Sequence, residues 1–272
     1  MSDARITLAR PDLADAALQG LVKAARFDET QAFHCAVAAT AIRRSPELEA
    51  EQVDQLLFGE TFKALEIADG WAWGQADRDG YVGYVQLDQL TPGHLSATHR
   101  VGALRAYAFS GPDIKSRPLA LLSFGALVAV EAEDGKFLKA AGSGWFAAGQ
   151  LKPIGLIETD PAAVAERFLG APYQWGGRES LGLDCSGLVQ QALMACGFSC
   201  PRDSDQQQAL GLPVAQADLQ RGDLVFWKGH VGMMLDRERL LHANAFHMQA
   251  AIEPLAEAIA RIGEPATLRR IG

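Results

Sequence analysis

Leu183-Asp184-Cys185-Ser186-Gly187-Leu188-Val189 is the stretch on which the reading of this chain turns. Leu188, Val189, Ala192 and Leu193 recur at helical spacing, and Gly197 offers a stop, so a helix is expected to begin near Cys185. A cysteine at a helix start meets unpaired N–H groups and the positive end of the macrodipole, both of which favour thiolate over thiol. Cys185 is therefore expected to have a lowered pKa and to act as a nucleophile, with its own backbone N–H near a developing oxyanion. Asp184 suits the capping position just before it.

A thiol nucleophile needs a base. His230 opens the apolar run His230-Val231-Gly232-Met233-Met234-Leu235, a strand expected to lie beside the helix start. His242, in Leu240-Leu241-His242-Ala243, falls on the next strand, where it can bond the far nitrogen of His230 and set its tautomer. Asn244 and His247 are nearby competitors for that third place. Attack by sulfur gives a thioester, which water then releases as the acid. Upstream, Asp160 before Pro161 marks an N-cap and an amphipathic helix to Leu169. Helices packed on sequential antiparallel strands make an α+β layout.

Two earlier segments read as small all-β units. In the first, Trp71-Ala72-Trp73 and Tyr81-Val82-Gly83-Tyr84-Val85 alternate as half-buried strands do. Asp79-Gly80 is a hairpin signal. The second unit repeats its order: Phe58-Gly59 against Phe124-Gly125, Asp69-Gly70 against Asp134-Gly135, and Gln86-Leu87 against Gln150-Leu151. Ahead of both, Leu13, Ala17, Leu18, Leu21 and Val22 are spaced for a helix, in an arm packed on the downstream domains.

In order, Tyr173-Gln174-Trp175-Gly176-Gly177, Leu183 to Val189, Gly222-Asp223-Leu224-Val225-Phe226-Trp227 and Gly229-His230-Val231-Gly232 resemble the NlpC/P60 peptidases. The resemblance implies a papain-like α+β catalytic domain with Cys185 as nucleophile, His230 as base, His242 as orienting residue and no cofactor. The two β units resemble bacterial SH3-like (SH3b) barrels. The implied organisation is an arm over 1–32, all-β barrels over 33–95 and 96–156, and a catalytic domain over 157–272. The whole chain resembles the γ-D-glutamyl-L-diamino acid endopeptidases of the dipeptidyl-peptidase VI type. These cut cell-wall (murein) peptides between D-Glu and meso-diaminopimelate or L-Lys. The resemblance further implies a substrate with a free L-Ala, its ammonium gripped in a pocket that the first SH3b unit closes. Glu60, Tyr81, Tyr173, Asp184, Ser186, Asp203 and Ser204 match that subgroup's substrate-binding positions. An ammonium does suit partly buried carboxylates such as Glu60, Asp184 and Asp203. A closed site of this kind selects free murein peptides over cross-linked wall, as recycling of imported fragments requires.

Bulk properties narrow the partners. A net charge of −8 and a pI near 5.3 argue against nucleic acid and against an anionic membrane surface. The N-terminus carries no leader pattern and no stretch reaches the ~20 apolar residues of a membrane span, so a cytoplasmic location is expected. Cys35, Cys196 and Cys200 read as core residues, with neither zinc-site spacing nor a disulfide framework. His34, His94, His99 and His247 read as structural or exposed. The five tryptophans read as core or interface aromatics, with Trp175 and Trp227 alternatively lining the groove. Three rivals keep the same residues: a papain-like amidase or acyltransferase, a non-catalytic wall-peptide binding module, and a zinc site on Cys185, His230 and His242.

Overall fold

Asp69 and Gly70 turn the chain in two residues, both at positive φ (51° and 80°), so that Ala68 pairs directly with Trp71. This is the left-handed two-residue turn that an Asp-Gly pair favours between twisted strands. Around that hairpin a seven-stranded antiparallel sheet forms, in the spatial order Gln52–Leu57, Ala39–Arg43, Val82–Gln86, Trp71–Ala76, Thr61–Ala68, Gln31–Cys35 and Leu90–Pro92. Its inward side chains, among them Phe33, Ile42, Leu56, Phe62, Tyr81 and Val85, make one core. A second core, centred on Val101, Leu122, Val128, Phe146 and Leu151, lies under the strands of residues 99–153.

Both all-β segments end in the same way. A three-residue 3-10 turn (Leu87–Gln89; Ala148–Gln150) leads into a short strand (Leu90–Pro92; Leu151–Pro153). The counterpart of Gln150-Leu151 is therefore Gln89-Leu90, not the Gln86-Leu87 expected from sequence. The Gln-Leu pair recurs by chance three residues earlier, and only the turn identifies the right copy.

The computed structural model describes residues 3–272. Met1 and Ser2, the start of the expected arm, lie outside them. The arm is not helical. Leu13–Asp15 is a strand paired in parallel with Arg26–Asp28, and only Ala16–Leu18 makes a 3-10 turn, capped by Asp15. Tertiary contacts override the helical spacing: Leu8 and Leu13 are buried against Trp73, and the Arg10 guanidinium stacks 4.0 Å above the Trp73 ring. Arg10 also bonds the Tyr84 hydroxyl and Glu66. All this forms one compact unit that ends at Gly155; a second runs from Leu156 to Gly272.

The second unit opens with α1 (Pro161–Glu166), capped by Asp160 as its sequence predicts. The helix α2 (Cys185–Ala195) is buried along almost its whole length and ends where Gly197 turns to positive φ. A short α3 (Ser204–Gln207) and an amphipathic α4 (Leu255–Ile262) complete the helices. The antiparallel sheet has six strands, in the order Leu212–Pro213, Thr267–Arg270, Leu224–Trp227, His230–Met234, Arg239–Asn244 and Gln249–Pro254. Helix α2 packs against the His230 strand, and α4 against the Gln249–Pro254 strand. No helix among the described residues is long and apolar enough to cross a membrane.

The start of α2 is set by a close approach. A Cβ on Gly187 would lie 2.3 Å from the carbonyl oxygen of Gly177, so this helical turn can touch the Gly176-Gly177 loop only as glycine. Gly187→Ala is therefore expected to lower unfolding free energy by about 1–3 kcal/mol, the usual range for overpacking. Urea denaturation of the full chain measures it, and a loss under ~0.5 kcal/mol would mean that the loop yields freely.

Candidate active site

Asp184 organises the nucleophile end. Its Oδ1 accepts from Gly187 N (2.7 Å), Arg202 Nη1 (3.0 Å) and Ser186 Oγ (3.2 Å). Its Oδ2 accepts from Arg202 Nη2 (2.7 Å) and Gly176 N (2.9 Å). One carboxylate thus caps α2, ties down the Gly176 loop and neutralises Arg202, which is only 1% exposed. Ser186 is held in the same network by Arg202 (2.8 Å). The expectation that Asp184 also grips a substrate ammonium meets a carboxylate already matched in charge and bonded by five donors.

Cys185 follows at the first position of α2, with backbone N–H groups of Ser186 and Val231 directed at its sulfur. Val231 is the neighbour of His230, so the thiol lies at the start of the His230 strand. Tyr173 lies close enough to Cys185 and Asp184 to feel both charges; burial first, and then those charges, hold its phenol well above the ordinary value.

The imidazoles are aligned by strand register. Met233 pairs with Leu241 and Met234 with Leu240. Continued along the pleat, that register sets His230 diagonally across from His242 on the same face. The next pairing, His242 with Ala251 and Leu240 with Glu253, sets Glu253 diagonally across from His242 in turn. The contacts agree: His230 Nε2 lies 2.8 Å from His242 Nδ1, and His242 Nε2 lies 2.6 Å from Glu253 Oε1. Arg261 of α4 closes the line with both guanidinium nitrogens on Glu253, Nη1 at 2.8 Å from Oε2. His242 is fully buried. The competitors are used elsewhere: Asn244 Oδ1 accepts from His247 N at 2.8 Å and lies 3.1 Å from His247 Nδ1.

Residues 170–261 match the NlpC/P60 family, and residues 42–90 match the bacterial dipeptidyl-peptidase Sh3 domain. The chain is 30% identical to a gamma-D-glutamyl-L-lysine dipeptidyl-peptidase of Bacillus subtilis, across 75% of this chain and 76% of that one. The chain belongs to the NlpC/P60 family. It is 26% identical to dipeptidyl-peptidase 6 of Lysinibacillus sphaericus, over 78% of this chain and 87% of that protein. The crystal structure of an NlpC/P60 family protein from Bacillus cereus shares its fold, with a TM-score of 0.77 over 88% of this chain and 99% of the other at 20% identity. The protein is a cysteine peptidase.

In this NlpC/P60 peptidase the surroundings of the thiol oppose the acidity expected of a helix start. Burial, and then the charge of Asp184, push Cys185 up to about 12, against the opposing N–H groups and Arg202. Burial, then His242 and Arg261, push His230 down to about 4, with Glu253 and Asp184 acting the other way. His242 is also lowered to about 4, chiefly by burial. Both shifts favour the uncharged forms, thiol and neutral imidazole.

The other expected residues are spread over both units. Asp203, half-buried, caps α3 in a capping box with Gln206, and Ser204 is buried at the first position of that helix. In the first unit, Glu60 is buried, with Oε2 accepting from Leu57 N (2.8 Å) and Arg78 Nη1 (2.7 Å). Arg78 also pairs with Asp54 and Asp79, so three carboxylates surround one guanidinium. Tyr81 is a core residue of that unit. Trp227 is core, but Trp175 is 59% exposed, which overturns its reading as a core aromatic and keeps it at the surface of the Gly176 loop. Sequence reasoning missed Arg202, Glu253 and Arg261. Arg202 stands beside Asp203 and Ser204, which the family resemblance did single out. Glu253 and Arg261 lie on a strand and a helix that no turn signal announced.

His242, His247 and Glu253 offer ligand atoms within 4.8 Å of one another. Both His242 nitrogens are engaged and Glu253 is matched by Arg261, so the set is organised as a hydrogen-bonded line and not as a cation cage.

Protonating His230 removes the base, so kcat/KM is expected to fall as pH drops through about 4, well below the ordinary histidine value near ~6.5. His242→Asn removes one group that depresses His230 and is expected to move that acid limb upward. Stability has the same sign. An unfolded histidine takes a proton near pH ~6.5 and the folded ones only near 4, so acidification across that window destabilises the fold. A pH–rate profile and urea midpoints between pH ~7 and ~4.5 check both; an acid limb at ~6.5 would show that the imidazoles are not held neutral.

Proposed function

We propose that this peptidase cleaves the bond between γ-D-Glu and a diamino acid, meso-diaminopimelate or L-Lys, in free murein peptides that begin with L-Ala. The observation that carries the chemistry is the His230–His242 bond of 2.8 Å, with Val231, the residue next to His230, directing its N–H at the thiol that opens α2. The Bacillus subtilis relative, a gamma-D-glutamyl-L-lysine dipeptidyl-peptidase by name, supports the substrate class.

In this mechanism Cys185 Sγ attacks the γ-carbonyl of D-Glu while its proton passes to His230 Nδ1. A resting thiol as weakly acidic as this one favours transfer in step with attack. The Cys185 backbone N–H, at the open end of α2, donates to the oxyanion. The imidazolium returns the proton to the leaving amine of the diamino acid, and water then hydrolyses the thioester. His242 keeps the His230 ring in the orientation this requires.

Glu60 and Asp203 are the carboxylates we assign to the free ammonium, Glu60 on its surroundings and Asp203 on the family resemblance. Glu60 belongs to a buried, carboxylate-rich group around Arg78, surroundings that suit a cation. Asp184, already neutralised by Arg202, is assigned to shaping the site. We read residues 96–156 as a second, diverged SH3b barrel, supported by the shared closing turn and strand. None of the four cysteines is in a disulfide, which suits a reducing compartment, and with the preference for free peptides this supports a cytoplasmic recycling role.

Mass spectrometry of L-Ala-γ-D-Glu-meso-diaminopimelate and its L-Lys counterpart, each beside an N-acetylated copy, tests the proposal. Wild type is expected to release L-Ala-γ-D-Glu from the free peptides only. Cys185→Ala should abolish release, and His242→Ala should slow it by about 10²- to 10⁴-fold. Glu60→Gln should raise KM about tenfold or more with kcat little changed. Equal cleavage of the acetylated copies would remove the ammonium assignment, and no cleavage by folded wild type would move the function to an amidase, a transferase or a binding module.

A further inference from the structure

We propose that Glu253, clamped by Arg261, is a positioning residue that dictates which nitrogen of His230 carries the proton. This role rests on the thiol mechanism above and extends the line one member beyond it. A neutral imidazole has one N–H and one lone pair, and either nitrogen can carry the hydrogen. Arg261 directs two N–H donors at Glu253, so the carboxyl is an ionised, acceptor-only group. A carboxylate oxygen 2.6 Å from His242 Nε2 requires a hydrogen on that nitrogen, since two facing lone pairs would repel. His242 Nδ1 is then the lone pair, and His230 Nε2, 2.8 Å away, must be the donor. The proton of His230 is thereby assigned to Nε2, and Nδ1 remains bare to receive the thiol proton.

Reversing any link reverses the chain. With the hydrogen of His242 on Nδ1, His230 would have to accept through Nε2 and would turn an N–H toward the sulfur, where it cannot act as base. The groups facing His242 are His230 from the adjoining strand, Glu253 from the other side, Arg261 from α4 and His247 from the following loop. Of these only Glu253 is an anion, and it is 6% exposed. Arg261 is in turn seated on the Phe246 ring, 4.2 Å from its centroid, which keeps the guanidinium over the carboxylate. The ordinary orienting role ends at His242; the geometry here adds a fixed charge that removes the tautomeric choice of His242 itself.

The test uses the full chain and two readouts. Glu253→Gln keeps the shape but can present an amide N–H to His242 Nε2. It is expected to lower kcat about 10- to 100-fold on the L-Ala-γ-D-Glu-meso-diaminopimelate peptide with KM little changed, the usual range for outer-shell partners. Nitrogen NMR of the histidine side chains is expected to show Nε2-protonated His230 and His242 in wild type, and mixed tautomers in Glu253→Gln. In a His242→Asn background, where an amide oxygen accepts from His230 unaided, Glu253→Gln should cost little more. The NMR readout needs no substrate, so it stands or falls separately from the assigned peptidase specificity. Should Glu253→Gln fail to fold, Arg261→Gln, at a quarter-exposed side chain, carries the same two readouts. Unchanged tautomers, or the same loss of kcat with and without His242, would overturn the proposal.

Discussion

The buried ion pair between Asp184 and Arg202 is the interaction on which the catalytic unit depends. Removing either partner would leave an uncompensated charge, which costs about 3–5 kcal/mol in comparable settings. The pair also does something that an apolar pair of the same volume could not. Its two carboxylate oxygens collect donors from the Gly176 loop, from α2 and from Arg202, and so join three separate chain segments at one point. Cys185 is the next residue. Its sulfur is placed by a polar hub and not by side-chain packing alone.

The base is placed by a different constraint. Side chains alternate across a sheet, so one register decides whether a histidine faces α2 or the opposite side. Two successive pairings put His230, His242 and Glu253 diagonally across three neighbouring strands. These polar groups lie in a largely buried line, satisfied end to end by Arg261. Such a network is stable only when every member has its partner. Burial lowers both histidines and raises the thiol, which favours the uncharged forms of these three groups between their charged neighbours. Charge separation is then deferred to the moment of attack, when the oxyanion site can take part in it.

Much of the chemistry was legible in the chain. Asp69-Gly70, a landmark of the repeat in the sequence, closes a hairpin because few other pairs tolerate two positive φ values in succession. Asp160-Pro161 and Asp184-Cys185 announced helix starts because capping is local, acting over three residues. The arm departs from its helical spacing because Leu8 and Leu13 gain more by covering Trp73 than a short helix gains from its own bonds. Lowered acidity was expected for Cys185 because a helix start is visible in sequence, whereas its burial and the orientation of Asp184 are not.

By itself the sequence determined the residue types of a thiol peptidase, their order, and the elements that hold Cys185, His230 and His242, because periodicity and capping are short-range properties. Only the tertiary structure decided that Arg202 neutralises Asp184, that Asn244 turns away to His247, and that Glu253 and Arg261 complete the histidine line. Those outcomes depend on strand register and on burial, which are set by pairings between segments distant along the chain. No local pattern encodes where a carboxylate eleven residues beyond a histidine will stand until the hairpin between them has closed.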